Sequence, residues 1–162
     1  MNNQDHILTV SKSTPKNPET FNVDGLMKEL YIYVKQELQD RNKSNVRVEL
    51  CKLTGIEKCL VHTDLTILRQ IFINLLDNAI QRTFVGCIFF GYHTPSISVI
   101  SNISFFVEDT GNGIYNDVNL DLSIAQGLVK QLGGKMEIRS TEDTGVSINF
   151  NIICKPFEFF EN

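Results

Sequence analysis

The stretch Asp64–Thr83, DLTILRQIFINLLDNAIQRT, has apolar residues at Leu65, Leu68, Phe72, Leu75, Leu76 and Ala79, with Ile80 widening the stripe. A recurrence close to 3.6 residues predicts an amphipathic helix packed on a core, with Thr63 or Asp64 placed to cap it. Asn74 and Asn78 stand four apart and share one edge of that helix, with Asp77 beside them. Asparagine is a mediocre helix former, so two at this spacing need a reason. One reading is a solvated helix edge. The other is a ligand edge, where neutral amide oxygens meet a hydrated Mg²⁺ held between phosphates.

Upstream, residues 1–20 are polar, carry Pro15 and Pro18, and read as an arm or linker. From Phe21 to Leu38, apolar positions at Val23, Leu26, Met27, Leu30, Val34 and Leu38 predict a first helix, capped by Asn22 or Asp24. Val46, Val48 and Leu50 alternate with polar residues as in a half-buried strand, and Cys59–His62 is a shorter strand after the Thr54-Gly55 turn. Downstream, Cys87–Tyr92 reads as a strand and His93–Ser96, with Pro95, as a loop. Ile97–Val107 is strand-rich, with Ser101-Asn102 as a turn inside it. A third helix has its stripe at Leu122, Ala125, Leu128, Val129 and Leu132 and stops at Gly133-Gly134. Lys135–Ser140 is a strand, Thr141–Gly145 a turn, and Val146, Ile148, Phe150 and Ile152 alternate with Ser147, Asn149 and Asn151 in a final strand. Three helices and a mostly antiparallel sheet, arranged in runs, predict an α+β fold of the two-layer α/β sandwich kind. One domain, 21–155, is expected between the arm and an aromatic tail, 156–162, where Phe157, Phe159 and Phe160 suit docking onto the sheet or a partner.

The 162 residues suffice for one well-cored domain, and 42% hydrophobic with 21% charged residues is ordinary globular composition. A formal charge of -4 argues against a nucleic-acid partner. No apolar run approaches the roughly 20 residues that span a bilayer, and no signal peptide opens the chain, so no membrane contact by this segment and a cytoplasmic location are expected. Cys51, Cys59, Cys87 and Cys154 form no CxxC pair and are expected to be reduced core residues, not zinc ligands or disulfides.

The second chemical signal is VEDTGNGI, Val107–Ile114. A carboxylate at the end of a buried strand, followed by two glycines two apart, suits a flat heterocycle. Asp109 can accept a hydrogen bond from an exocyclic amino group, while Gly111 and Gly113 let a ring lie against backbone. Asp-Thr-Gly is also good chemistry for a plain strand-to-loop turn.

The order NLLDNAI, VEDTGNGI, LSIAQGLVKQLGGKMEIRS, TGVSINFNI resembles the ATP-binding catalytic domain of sensor histidine kinases, within the Bergerat-fold (GHKL) ATPases that include gyrase, Hsp90 and MutL. The likeness runs from about Phe21 to Ile153, and FNVDGLMKEL resembles the helix that opens such domains. The resemblance implies ATP and Mg²⁺ as cofactors, with Asn78 as the Mg²⁺-binding asparagine of the N box and Asn74 beside it. It implies Asp109 at the adenine amino group, with Gly111, Gly113 and Ile114 completing the G1 box. Leu122 falls at the helix that opens the phosphate end, Thr144 to Ser147 fall near the adenine pocket and the phosphate end, and Arg82 stands next to Gln81, where the N box usually carries a basic residue.

The departures are as specific. Only Tyr115–Asp121 separates Ile114 from Leu122, so most of the mobile lid is missing, and Asn119-Leu120-Asp121-Leu122 holds neither glycine of the G2 box. Asp121 is expected to cap the helix beginning at Leu122, putting a carboxylate where phosphate would meet the helix N-terminus. None of His6, His62 and His93 lies in a phosphoacceptor-helix sequence. Three functions are therefore expected in order. The first is the ATP-binding catalytic domain of a two-component sensor histidine kinase, weakened by its short lid, that phosphorylates a histidine in another domain or chain. The second is a degenerate, non-catalytic docking or regulatory module. The third is a stand-alone anti-sigma-type protein kinase. The partner is a dimerisation and phosphoacceptor domain or a response regulator.

Overall fold

The structure, a computed structural model, describes residues 15–53, 58–94, 102–111, 120–141 and 144–154, except for the side chains of Leu53, Leu120 and Asp121. In chain order the elements are β1 (Glu19–Asn22), α1 (Val23–Asp40), β2 (Val46–Leu53), β3 (Leu60–Thr63) and α2 (Leu65–Arg82). There follow β4 (Gly86–His93), β5 (Asn102–Asp109), α3 (Leu120–Gln131), β6 (Met136–Thr141) and β7 (Gly145–Ile153). A five-stranded sheet runs β2-β4-β5-β7-β6, and β1 and β3 form a separate antiparallel pair. Among the described residues, β2 and β4 pair in parallel and the other neighbours in the larger sheet pair antiparallel. This is the expected α+β two-layer sandwich.

Alternation along the strands builds the core. Ile88, Phe90 and Tyr92 of β4, Ile103, Phe105 and Val107 of β5, and Val146, Ile148, Phe150 and Ile152 of β7 all join one buried cluster with the helices. Phe72 of α2 is its anchor: its ring meets Phe105 and Phe150 edge-on at 5.4 Å each, while those two stack at 5.1 Å. Aromatic pairs in these geometries add to the burial of their area.

Local chemistry fixes the helix ends. Asp64, not Thr63, caps α2, its Oδ1 accepting from the Ile67 amide at 3.1 Å. Asn22 caps α1 by accepting from the Asp24 amide at 3.1 Å. The C-terminus of α2 is held from outside. Lys43 Nζ donates to the Ile80 carbonyl, to that of Thr83 at 2.9 Å and to that of Gln81 at 3.3 Å, and it lies 4.2 Å from the Phe84 ring centre. At the other end of α1, the Tyr92 hydroxyl donates to Asp24 Oδ1 at 2.5 Å and Lys52 pairs with Oδ2 at 2.8 Å.

The structure differs from expectation at several places. Glu19 and Thr20, expected in the arm, open β1 and pair with Thr63 and His62. Asn102, expected in a turn, opens β5. The third helix starts at Leu120, which puts Asp121 inside its first turn instead of at its cap. The expected arm up to residue 14, the loop through Pro95 and the aromatic tail lie outside the described residues. None of the four cysteines is in a disulfide, and burial pushes the thiols of Cys59 and Cys154 up to about 12 and about 11.

Candidate functional site

Asp109 ends β5, opposite Ile88 on one neighbour and Val146 on the other, and is 7% exposed. Its partners share the face that packs on the helices, so its carboxylate belongs to that layer. Burial pushes the carboxyl up from its ordinary range, against the Gly111 and Val146 amides and the Arg82 cation, which pull it down. Gly111 N donates to Asp109 Oδ1 at 2.9 Å. A side-chain carbon on Gly111 would sit 2.8 Å from the Arg82 carbonyl oxygen and 2.9 Å from Asp109 Oδ1, so only glycine lets this turn pass against the end of α2. Thr110 ties the same turn to β4, its Oγ1 accepting from the Cys87 amide at 2.9 Å. Gly113 and Ile114 lie outside the described residues.

The edge of α2 supplies the other wall. Asn78 is 1% exposed, and its Oδ1 accepts from Arg82 Nε at 3.0 Å, one turn along the same helix. Asn74 Oδ1 likewise accepts from Gln70 Nε2 at 2.7 Å. Asp77 turns to α1, where the Tyr33 hydroxyl donates to it at 2.6 Å. Leu122, 6% exposed, comes from the first half of α3, which packs on α2. Bonds and close approaches thus bring Asn78, Arg82, Asp109 and Gly111 together, with Asn74 one turn before Asn78 on the helix.

Ser147, expected near the adenine pocket, lines a cavity of about 260 Å³ together with Asp109, Thr110, Gly145 and Val146. It pairs with Glu108 and donates to Glu108 Oε1 at 2.9 Å on the opposite face of the sheet. The same cavity also takes in Phe89, Glu108 and Arg139. The β7 residues on the Asp109 side are Val146, which faces it, and Gly145, where a side-chain carbon would lie 1.9 Å from the Asp109 carbonyl oxygen. Both fall within the stretch Thr144–Ser147 that the resemblance places near the adenine pocket.

The resemblance implies Mg²⁺ at Asn78, whose amide oxygen here meets the Arg82 cation. Mg²⁺ needs oxygen ligands in near-octahedral array. Both asparagine oxygens here already accept hydrogen bonds, and at Asn78 the donor is itself a cation. Among the described residues no group of three or more His, Cys, Asp or Glu side chains could hold a metal.

The family described as histidine kinase-, DNA gyrase B- and HSP90-like ATPase matches residues 63–155. Hybrid signal transduction histidine kinase B of Dictyostelium discoideum is 30% identical over 118 residues, covering 59% of this chain and 6% of the relative. The chain therefore spans a small part of the curated relative it matches. Among solved structures, the catalytic domain of histidine kinase ThkA superposes with a TM-score of 0.68 at 25% identity, over 87% of this chain and 99% of that one. Full-length ShkA, solved in complex with AMPPNP, gives a TM-score of 0.71 at 20% identity, over 87% of this chain and 32% of that one. No helix among the described residues is long and apolar enough to cross a membrane.

Proposed function

This chain belongs to the histidine kinase-, DNA gyrase B- and HSP90-like ATPase family, and from that premise we propose that it is the ATP-binding domain of a two-component sensor histidine kinase. Asp109 receives the adenine amino group, with Gly111, Gly113 and Ile114 shaping the pocket. Asn74, Asn78, Arg82 and Leu122 bound the path toward the phosphates. The γ-phosphoryl group goes to a histidine in another domain or chain, and the domain's share of catalysis is positioning and charge neutralisation. The observation that carries this reading is the buried Asp109 carboxylate, seated on a turn with no room for a side chain at Gly111. A buried carboxylate costs stability unless it serves as an acceptor, and an exocyclic amino group supplies the donor.

A second reading, a non-catalytic docking module that keeps the fold, is favoured by the internal bonding of both asparagine oxygens and by Asp121 in the first turn of α3. Calorimetric titration with ATP, ADP and adenosine tests the adenine site. Measurable binding that Asp109→Asn abolishes is expected, and equal binding by both proteins would remove the assignment. Phosphorylation of a separately supplied dimerisation and phosphoacceptor domain then divides the two readings.

A further inference from the structure

We propose that the segment Lys155–Asn162, KPFEFFEN, folds back over the outer face of the large sheet and seats its phenylalanines on Phe106. The helices pack on the other face, through the core cluster. Phe106 points away from that cluster, because Phe105 and Val107 on either side of it join the core. Yet Phe106 is 7% exposed. Its row across the sheet runs Cys51, Gly91, Phe106, Asn149. The ring lies over Gly91, 3.2 Å from the place a side-chain carbon would take, with the His93 ring centre 5.2 Å away. A phenyl ring laid on backbone keeps its outer side in water unless something covers it. Its neighbours Ser104 and Asn149 are themselves exposed and too short to do so.

Position, length and pattern name the occupant. The segment leaves from Ile153, at the end of β7, the strand beside β5, and Ile153 is 62% exposed. Phe106 stands opposite Asn149, four residues back, so it lies about 14 Å along the strands and about 5 Å across them. The seven residues from Ile153 to Phe160 reach about 23 Å when extended, which leaves length for a reversal at Pro156. Phe157-Glu158-Phe159 then puts two rings on one side of an extended segment and the carboxylate on the other, toward water. Two other segments fit less well. The β4–β5 connection is tied at His93 and Asn102, and its eight residues, 94–101, must go out and return, so they extend over about 13 Å at most, short of Phe106. The chain ahead of β1 arrives beside Asp64, at the start of α2, in the helix layer.

The test is the fluorescence of Phe159→Trp in the full chain, whose sequence holds no tryptophan of its own. Its emission should be blue-shifted from that of the urea-unfolded protein, weakly quenched by acrylamide and independent of protein concentration. Adding Phe106→Ser should shift the emission to the red and restore quenching, with the far-ultraviolet circular dichroism unchanged. Emission like that of the unfolded protein overturns the proposal, and so does a blue shift that Phe106→Ser leaves in place. A blue shift that grows with concentration gives the face to the tail of a second copy and overturns the folding back. Should Phe106→Ser fail to fold, Cys51, half-buried in the same row, serves as the probe instead. Phe157→Ser with Phe159→Ser should speed its reaction with a maleimide, read at that residue by mass spectrometry, and an unchanged rate overturns the proposal.

Discussion

One chemical change, glycine to alanine, should have opposite signs at two positions. Gly127 is an exposed residue inside α3, and a side-chain carbon there would meet nothing within 4 Å. Alanine at such a site recovers helix propensity worth about 0.8–1 kcal/mol. For a chain of 162 residues, that corresponds to a rise of about 2–4 °C in Tm. At Gly111 the added carbon falls 2.8 Å from a backbone carbonyl and 2.9 Å from the Asp109 carboxylate, whereas ordinary contact begins at 3.4 Å. Strand or helix end must shift by several tenths of an ångström, and overpacking of that kind costs about 1–3 kcal/mol. The smaller unfolded-state entropy gives back about 0.4–1 kcal/mol, for a net loss near 1–2 kcal/mol. With no tryptophan in the chain, urea unfolding followed by far-ultraviolet circular dichroism is the suitable assay. The midpoint should move up for Gly127→Ala and down for Gly111→Ala at an unchanged slope. A Gly111→Ala protein as stable as wild type would refute the close approach on which the site's geometry rests.

Asp109→Asn should raise the stability of the ligand-free protein at neutral pH while removing adenine binding. Because burial raises the Asp109 carboxyl, its favourable contribution is complete below the ordinary value near 3.9 and lost as pH rises through the folded pKa, so the neutral isostere escapes the penalty. Asp24 has the reverse sign: despite the opposing cost of burial, its bonds to Lys52 and Tyr92 hold its carboxyl down. Its contribution is present above about pH 3.9 and lost as pH falls through the lower folded value. Tyr92→Phe should therefore cost about 1.5–3 kcal/mol at pH 7 and flatten the acid limb of the stability curve, as equilibrium unfolding across pH would show. Lys43→Met keeps the stem but loses the charge over the end of α2, which should cost about 1 kcal/mol and fray that end first in hydrogen exchange.

The central helix was legible because its signal is local: the Leu68, Phe72, Leu75 and Leu76 period is the packing itself. Alternation likewise marked the inward faces of β2 and β7, yet it says nothing about neighbours. The parallel pairing of β2 with β4, and the pairing of Glu19 and Thr20 with β3, depend on partners tens of residues away. Ser147 shows a different limit. Its place came from motif position, which does not tell that its hydroxyl is bonded to Glu108 within the cavity it shares with Asp109. The Arg82–Asn78 bond is the instructive middle case. Its i,i+4 spacing is plain in NAIQR, but only burial of Asn78 shows that the amide has a fixed partner instead of solvent.

The small β1–β3 pair makes Asp64 a mechanical junction. One carboxylate oxygen caps α2 at the Ile67 amide, and the other accepts from the Asn17 amide at 3.1 Å, just ahead of β1. Tension or torsion applied to the chain before Asn17 is therefore delivered to the start of the helix whose far end carries Asn78 and Arg82. That helix is a stiff rod of 18 residues anchored midway by Phe72. A pull at the entrance strains the cap and the two-stranded clasp before it reaches the large sheet, so the cap is the mechanical fuse of the domain.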